Sequence, residues 1–363
     1  MKLSSVRGAH CQGTAPARAR RCDETPDRGS ELPAAARDWR SLGWQNRAVL
    51  AILAVTFPFF ALVLAGYVAT RRHWLPLAAI PGLNTFVLYF ALPAMLYRFG
   101  AGTPVGQSLD PGVIAVYLVC ALLMVGATVA LTRSHRIGWN DAAFGALVAA
   151  FPNTGYMGVP LLVALLGKAA AGPAIATILV DLVVTSSLCI ALSRLGEPGG
   201  AGPAARKALR GVLANPLPWA IGLGAGASGL GLALPGPLAQ TVGLLADAAS
   251  PVALFTIGAV LARSQMSSRD PTPLLDYVPV ALKKLLLHPL LVWGAGSAAI
   301  ALGVPLDPFA LKVMVLVAAL PSASNVAMLA ERYGADNGRI ARIILVSTVL
   351  AFLSFSAAVA LLN

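Results

Sequence analysis

The sequence predicts an all-α integral membrane protein with ten transmembrane helices, arranged as two inverted five-helix repeats in which the fourth and ninth helices are broken. Of the 363 residues, 57% are hydrophobic and 12% are charged, about half the charged share of a soluble domain. The mean hydropathy is +0.75. Too few polar side chains exist to cover a soluble globule, which excludes a soluble enzyme, a disordered chain and a nucleic-acid-binding module. The net charge of +12 is typical of basic loops beside anionic lipid, and we expect no nucleic-acid partner.

Apolar runs predict the helices, since about 20 apolar residues cross a bilayer. In chain order, the ten runs are 49–70, 80–99, 112–132, 141–166, 174–194, 215–234, 238–262, 279–302, 309–331 and 339–362. We therefore divide the chain into a basic tail (1–48), a first repeat (49–195), a Gly/Pro-rich cytoplasmic linker (196–214) and a second repeat (215–363).

The tail differs in composition from the rest of the chain. Residues 1–48 contain nine Lys/Arg and five Asp/Glu without an apolar period, which is typical of disorder. The first apolar run begins far from the basic start and is long, so a cleaved signal peptide is not expected. We interpret the tail as the product of a start site placed too far upstream, and we expect deletion of residues 1–46 to leave the activity of the protein intact.

Internal repetition is the most informative pattern. LVAAFP at 147–152 returns as LVAALP at 316–321, an offset of 169 residues. The same offset superposes run three on eight and run five on ten, and brings run one close to run six. Run two matches run seven only with a slip of several residues. Because each half holds an odd number of spans, the second half must be inverted, as in many secondary transporters.

Basic residues are distributed asymmetrically between the two sides. The loops after runs one, three, five, seven and nine hold 15 Lys/Arg, and the opposite loops hold three apart from the tail. The positive-inside rule then places the linker in the cytoplasm and both termini outside. This orientation also places the nine basic residues of the tail outside, the side on which the rule predicts few basic residues.

Prolines interrupt runs four and nine at matching places. Pro152 and Pro160 bracket Gly155 and Gly158 in run four, and Pro321 interrupts run nine. Proline removes a backbone donor and clashes with the preceding turn, so both helices are predicted to break near mid-membrane. The amides freed at the breaks suit an anion. Side-chain donors nearby make up the predicted substrate site: Asn153, Thr154, Tyr156, Ser322, Ser324 and Asn325. The alternative is a pair of proline kinks in which Ser and Asn satisfy the helix.

At these residues the chain resembles the auxin efflux carrier family. The segments FPNTGYMGVPLL (151–162) and LPSASNVAMLAERYG (320–334) are similar to the paired signatures of that family. The resemblance extends over about 49–363 and implies ten helices, with helices four and nine crossing at the substrate site. It also implies a scaffold of helices one, two, six and seven, and a bacterial cytoplasmic-membrane carrier of malonate or other organic acids. Ser322 stands where plant auxin exporters carry Asn, which disfavours an auxin-type substrate.

Few ionisable residues lie inside the runs. Asp181 in run five is the candidate for proton or Na⁺ coupling, against a purely structural carboxylate, and Asp247 in run seven is a second candidate or an interfacial residue. Intramembrane carboxylates normally face the interior with a partner. We expect His288 to be a buried structural imidazole. Lys283 and Lys284 are expected to extend toward lipid phosphate, against a cation that helps recruit an anion.

No pattern of an enzyme or a metal site is present. The four histidines and four cysteines show no metal-binding spacing, and we expect no cofactor and no catalytic residue. The sequence therefore favours a secondary carrier for small organic anions, with a non-transporting membrane sensor or a channel as the alternative. The expected partners are the anion, the lipid bilayer and, as an open alternative, a second copy of the chain.

Overall fold

The structure is a computed structural model, and it describes residues 57–104, 109–195, 210, 213–267 and 273–362. The predictions for the tail, and for most of the 196–214 linker, lie outside the described residues. Within the described part the chain is almost entirely helical. Its one β-type feature there is an isolated antiparallel bridge between Pro152 and Ser322.

Helices lie in every one of the ten apolar runs. In chain order they are α1 (Phe57–Arg71), α2 (Leu77–Ala101), α3 (Pro111–Thr132), α4 (Trp139–Ala150), α5 (Thr154–Leu166), α6 (Lys168–Ser193), α7 (Pro216–Gly229), α8 (Gly236–Ser267), α9 (Leu274–Ala301), α10 (Pro308–Ala319), α11 (Asn325–Arg332) and α12 (Asn337–Leu362). Among the described residues, six are long and apolar enough to cross a membrane, namely α2, α3, α6, α8, α9 and α12.

The helix boundaries repeat along the chain. Both ends of α10 lie 169 residues after the matching ends of α4, and both ends of α12 lie 169 residues after those of α6. Run four is divided into α4 and α5 at residues 151–153, called here the first break. Run nine is divided into α10 and α11 at residues 320–324, the second break. The predicted interruptions of these two runs are therefore present.

The broken helices occupy the centre of the molecule. α4 buries every residue from Ala142 to Ala150, and α10 is buried in the same way from Val313 to Ala319. Large apolar side chains on the outer helices are exposed, among them Leu123 of α3, Leu244 of α8 and Leu353 of α12. An apolar exterior around a packed interior is what a lipid-facing bundle requires.

Glycines allow close approach between helices at two places. A Cβ on Gly66 of α1 would overlap the Phe255 carbonyl of α8, and a Cβ on Gly258 of α8 would overlap the Val63 carbonyl of α1. A Cβ on Gly224 of α7 would lie 2.6 Å from the Tyr97 carbonyl oxygen of α2. Small residues at such crossings are the usual way in which membrane helices pack. Accordingly, the most extensive packing of α2 is against α7 and α8.

Three of the long helices contain a π-helical turn. These turns span Val87–Ala91 in α2, Val180–Thr185 in α6 and Lys283–Leu287 in α9. In α2 and α9 a proline follows within two residues, at Pro93 and Pro289. The wider turn accommodates the ring and the missing donor. No proline follows the α6 turn, where the hydroxyls of Thr185 and Ser186 bond instead to the carbonyls of Val180 and Asp181.

Arg339 is one of the 15 basic residues counted on the more basic side of the membrane, but it does not lie in a loop. It lies in the first turn of α12 and is 2% exposed. Its Nε and Nη1 donate to the carbonyls of Asp276 and Asp141, each at 2.8 Å. The guanidinium therefore connects the first turns of α4, α9 and α12 and does not face lipid.

Candidate functional site

The two helix breaks meet at the centre of the fold. The Asn153 amide donates to the Pro321 carbonyl at 2.8 Å, and the Ala323 amide donates to the Phe151 carbonyl at 2.9 Å. These two hydrogen bonds form the antiparallel bridge between Pro152 and Ser322. Each break thus satisfies backbone groups that the other leaves open, as buried irregular backbone at membrane depth must.

Some of the amides expected to bind an anion are occupied within the protein. Besides the two bridging amides, the Thr154 amide donates to the Pro152 carbonyl at 2.8 Å, and the Ser322 amide donates to the Ser347 hydroxyl at 3.2 Å. The expectation that the breaks themselves offer free amides is therefore wrong for these positions. The bridge between the breaks supplies the partner instead.

The next amides along each half-helix remain available. In the described part of the chain, the amides of Gly155 and Tyr156 at the start of α5, and of Ser324 and Asn325 at the start of α11, donate no hydrogen bond. They belong to the first turns of two helices, where the backbone carries partial positive charge. These two helix starts, not the bridge, are the anion-compatible backbone.

The side chains of the predicted substrate site divide between two small cavities. Asn153, Tyr156 and Asn325 line the first cavity, together with Leu92 of α2 and Leu217 of α7. It has a volume of about 20 Å³, room for about one water molecule. The structure therefore brings Asn153 and Asn325 to one cavity, between the breaks and the helices α2 and α7.

Tyr156 also lines the second cavity, which contains Ser324. This cavity of about 10 Å³ is bounded by Asn84 of α2 and Thr256 of α8. Neither residue was predicted from the sequence as part of the site. Thr154 and Ser322 line neither of these two cavities and are 0% and 1% exposed.

Several polar atoms at the crossing are buried without a hydrogen-bond partner in the structure. They are Thr154 Oγ1, Tyr156 Oη, Ser322 Oγ and Asn325 Oδ1. A buried polar group without a partner costs about 1–3 kcal/mol. Four of them within two short segments are unusual for a purely structural kink, which argues against the proline-kink alternative. Side chains of this kind can pair with a polar ligand.

Glycine and proline fix the geometry of the first break. A Cβ on Gly158 would lie 2.5 Å from Leu320 Cδ1, a buried side chain of the second break. Gly155 has more room, with Leu92 Cδ2 at 3.7 Å. Pro160 follows the π-turn Thr154–Gly158 and lies in the first turn of the regular helix. Gly158 therefore permits the close contact of the two breaks.

Asp181 lies near the middle of α6 and is completely buried. The Tyr117 hydroxyl of α3 donates to its Oδ2 at 3.0 Å, and the Thr185 hydroxyl donates to its Oδ1 at 3.2 Å. The carboxylate thus faces the interior with partners, as expected for an ionisable residue inside a span.

Lys284 does not extend toward lipid, and that prediction is wrong. The residue is completely buried, and its Nζ donates to the Ala318 carbonyl at 2.7 Å and lies 3.0 Å from His288 Nδ1. At this level α9 packs against α4, α10 and α12, and Lys284 lies on the face that these helices cover. His288 is buried, as expected from the sequence.

Asp247 lies at the surface of α8 and does not join the Asp181 group. Its side chain is 70% exposed, and its Oδ1 lies 2.7 Å from Arg98 Nη1 of α2. Exposed pairs of this kind contribute about 0–1 kcal/mol. This arrangement fits the interfacial interpretation of Asp247.

Lys284, Tyr117 and Arg339 are residues that the sequence did not assign to a polar cluster. A signal existed for one of them: Lys284 and His288 are four residues apart and share one face of an otherwise apolar run. In the described part of the chain, no group of three or more His, Cys, Asp or Glu side chains is placed to hold a metal ion.

Comparisons with known proteins show that the chain is similar to membrane transporters. The family described as "Membrane transport protein" matches residues 51–202 and 203–359. A Rhizobium meliloti (strain 1021) protein named "Putative malonate transporter" is 31% identical over 309 residues, 83% of this chain and 92% of the relative. "Uncharacterized transporter YfdV" of Escherichia coli (strain K12) is 26% identical over 76% of this chain and 86% of the relative. "Auxin efflux carrier component 7" of Arabidopsis thaliana is 24% identical over 39% of this chain and 23% of the relative. The chain belongs to the membrane transport protein family that includes the auxin efflux carriers.

Proposed function

We propose that the protein is a secondary transporter that moves small organic anions across a bacterial cytoplasmic membrane by alternating access. The observation that carries the proposal is the crossing of the two breaks, where Asn153 and Asn325 line one cavity. Irregular backbone at membrane depth is maintained where it lines a pathway or a binding site.

The proposed substrate site consists of Asn153, Thr154, Tyr156, Ser322, Ser324 and Asn325. Four unpartnered polar atoms belong to this set, and the helix starts at Gly155 and Asn325 contribute unpaired amides. Neutral amide and hydroxyl donors bind a carboxylate without the desolvation of a second charge. Because no lysine or arginine lines either cavity, affinity would depend on geometry more than on net charge.

The two helix starts also bear on the size of the substrate. Each start supplies its own pair of unpaired amides, one pair in α5 and one in α11. A short dicarboxylate could place one carboxylate at each start. The relative named for malonate supports a dicarboxylate of that size as the first compound to test.

We propose ten spanning helices in two inverted repeats. The bridge between the breaks is antiparallel, so the backbone of the two breaks runs in opposite directions, as inversion requires. The 169-residue spacing between equivalent ends of α4 and α10, and of α6 and α12, supports equivalent halves.

Alternating access would come from movement between two groups of helices. The scaffold would be α1, α2, α7 and α8, whose glycine contacts bring α1 against α8 and α7 against α2. The breaks and the remaining helices would form the moving part. A cavity of about 20 Å³ is too small for a dicarboxylate, so binding requires the lining helices to separate.

Asp181 is the carboxylate that we propose for proton or Na⁺ coupling, since it is buried and held by two hydroxyls. The surface ion pair of Asp247 gives that residue less support. A carrier without a coupling ion is the alternative, because the membrane potential alone contributes about 2.3 kcal/mol per 100 mV for a monoanion.

Transport of radiolabelled malonate and a panel of mono- and dicarboxylates into proteoliposomes tests the proposal. A carrier exchanges external labelled substrate for internal unlabelled substrate. A channel gives downhill flux without such counterflow, and a sensor binds without flux. Absence of counterflow for every organic acid in the panel would refute the proposed function.

A further inference from the structure

Lys284 is a completely buried lysine inside a membrane-spanning helix. It lies ten residues after Leu274, the first residue of α9, or about 15 Å along the helix axis. A lysine at such depth is costly to place, and its removal from water must be balanced by specific partners. Nζ has two within hydrogen-bond distance, the Ala318 carbonyl at 2.7 Å and His288 Nδ1 at 3.0 Å.

The Ala318 carbonyl belongs to the end of α10, immediately before the second break. In an uninterrupted helix this carbonyl would accept from the Ser322 amide. That amide instead donates to the Ser347 hydroxyl at 3.2 Å. Lys284 thus replaces a lost backbone donor at a helix C-terminus, where a cation is also favoured by the helix dipole.

A carboxylate close by balances the charge of the ammonium group. Asp181 and Lys284 lie near enough for their charges to interact, although no ion pair within 4 Å joins them in the described residues. The Tyr117 ring, whose hydroxyl bonds to Asp181, lies 5.9 Å from the His288 ring. Both charged residues occupy π-helical turns, which are frequent at functional sites.

From this arrangement we infer that Lys284 binds and releases the coupling proton, that Asp181 takes part in coupling as its counter-ion and does not itself carry the proton, and that Lys284 links the proton to the substrate site through the end of α10. The inference rests on the proposed function. In the loaded state the Lys284 ammonium and the Asp181 carboxylate form a neutral pair. On release, one N–H bond of the ammonium breaks, its electron pair stays on Nζ, and the proton passes to water on the side to which the site has opened.

Lysine suits this role because it exchanges protons when buried, whereas arginine remains charged. The direction of coupling follows from charge. An anion bound at Asn325 lies at the α11 end of the second break. Lys284 lies at the α10 end of the same break, where its Nζ donates to the Ala318 carbonyl. The negative charge of the bound anion therefore favours the ammonium form of Lys284. Because coupling between two sites is reciprocal, the ammonium form also favours the anion. The proton and the anion are therefore carried together, as in a symporter.

Lys284 and His288 are the basic side chains of this cluster among the described residues, and the neighbouring helices contribute its other groups. α3 contributes Tyr117 and Cys120, and α6 contributes Asp181 and Cys189. α10 contributes the Ala318 carbonyl. Arg339 of α12 lies near enough to Lys283 for their charges to interact, and its Nη1 donates to the Asp141 carbonyl of α4.

The experiment uses the full-length protein in proteoliposomes, radiolabelled malonate and a pH-sensitive dye inside the vesicles. With the membrane potential clamped at zero, a one-unit pH gradient, alkaline inside, is expected to drive about tenfold accumulation for one proton per anion. Lys284→Met and Lys284→Arg are expected to abolish that accumulation and the dye signal while counterflow continues. Lys283→Met, on the half-buried neighbour, is the matched control and is expected to retain both.

Each outcome decides between the two proposals. Wild-type counterflow without any effect of the pH gradient would overturn the proton inference and leave the transporter intact. Persistent proton-driven accumulation in both Lys284 variants would also overturn it. If both variants fail to insert while Lys283→Met is normal, Lys284 is a structural cap and the inference is wrong. A wild-type protein without counterflow for any acid refutes the proposed function, and the inference with it.

Discussion

The amide of Asn153 donates a 2.8 Å hydrogen bond to the carbonyl of Pro321 across the centre of the molecule. Its counterpart runs from the Ala323 amide to the Phe151 carbonyl. Because each break completes the other, neither can lengthen or unwind without leaving a buried backbone group unsatisfied. The two broken helices are therefore expected to move as one unit, and their side chains to reach a substrate together.

Replacement of either asparagine by alanine is the first prediction. Asn153→Ala and Asn325→Ala should each weaken affinity by about 1.5–3 kcal/mol, the value of a hydrogen bond to a charged group. That is a roughly ten- to hundredfold increase in the apparent Km for malonate counterflow. The backbone bond of Asn153 survives the substitution, so thermal stability should change little.

Tyr156→Phe is the matched comparison for the asparagine variants. Its Oη has no partner in the structure and its ring still packs after the change, so we expect a smaller increase in Km. Equal affinities for wild type and both asparagine variants would show that the crossing does not bind the substrate.

The positions of the two breaks could be predicted from the sequence for a simple physical reason. Pro152 and Pro321 disrupt their helices locally, whatever surrounds them, and the repeated LVAAFP and LVAALP segments place the breaks in register. The pairing across the breaks is one residue out of that register, since Pro152 faces Ser322 and not Pro321. The residue that faces Pro152 is determined by how the two breaks contact each other in three dimensions, and the sequence repeat does not predict it.

The burial of Lys284 and Arg339 could not be predicted in the same way. Both lie near those ends of their runs that the positive-inside rule predicts to be cytoplasmic, where long basic side chains usually reach the lipid surface. Their actual positions depend on neighbouring helices that cover one face of α9 and on carbonyls left open elsewhere, at Ala318 for Lys284 and at Asp141 and Asp276 for Arg339. Those acceptors come from other parts of the chain, so local sequence contains no sign of them.

Gly258→Ala is predicted to weaken the scaffold. The added Cβ would overlap the Val63 carbonyl of α1, and only separation of the two helices relieves overlap with backbone. We expect a loss of about 1–3 kcal/mol, typical of overpacking, measured as a lower melting temperature in detergent. Gly243→Ala in the same helix has no neighbour within 4 Å and should leave stability equal or slightly higher. Equal melting temperatures for the two variants would contradict this account of α1–α8 packing.

Arg339→Met is predicted to destabilise the bundle at the first turns of α4, α9 and α12. It removes two charge-assisted hydrogen bonds from a buried guanidinium, each worth about 1.5–3 kcal/mol, although methionine restores part of the packing. Arg136→Ala removes an ion pair to Asp276 whose arginine side chain is 70% exposed, and should cost less than about 1 kcal/mol. Melting temperatures measured side by side test the difference, and a larger effect at Arg136 would reverse the assignment.

Asp181→Asn is predicted to flatten the dependence of transport on pH or Na⁺. The amide keeps one oxygen to accept from Tyr117 or Thr185, so the fold should persist, but the counter-charge for Lys284 is lost. Initial rates of malonate uptake across a pH series, with and without Na⁺, provide the measurement. A profile identical to that of the wild type would make Asp181 a structural carboxylate.

The orientation in the membrane is the last prediction. The loops on one side hold 15 basic residues against three on the other, and the asymmetry persists after Lys284 and Arg339 are removed from the larger group as buried residues. The positive-inside rule then places the 196–214 linker in the cytoplasm and the C-terminus outside. Reporter fusions at Arg206 and after Asn363 distinguish the sides, since alkaline phosphatase is active only outside and green fluorescent protein fluoresces only inside. We expect fluorescence at Arg206 and phosphatase activity after Asn363. Fluorescence at both positions would require an even number of spans between them and would contradict the five-helix second repeat.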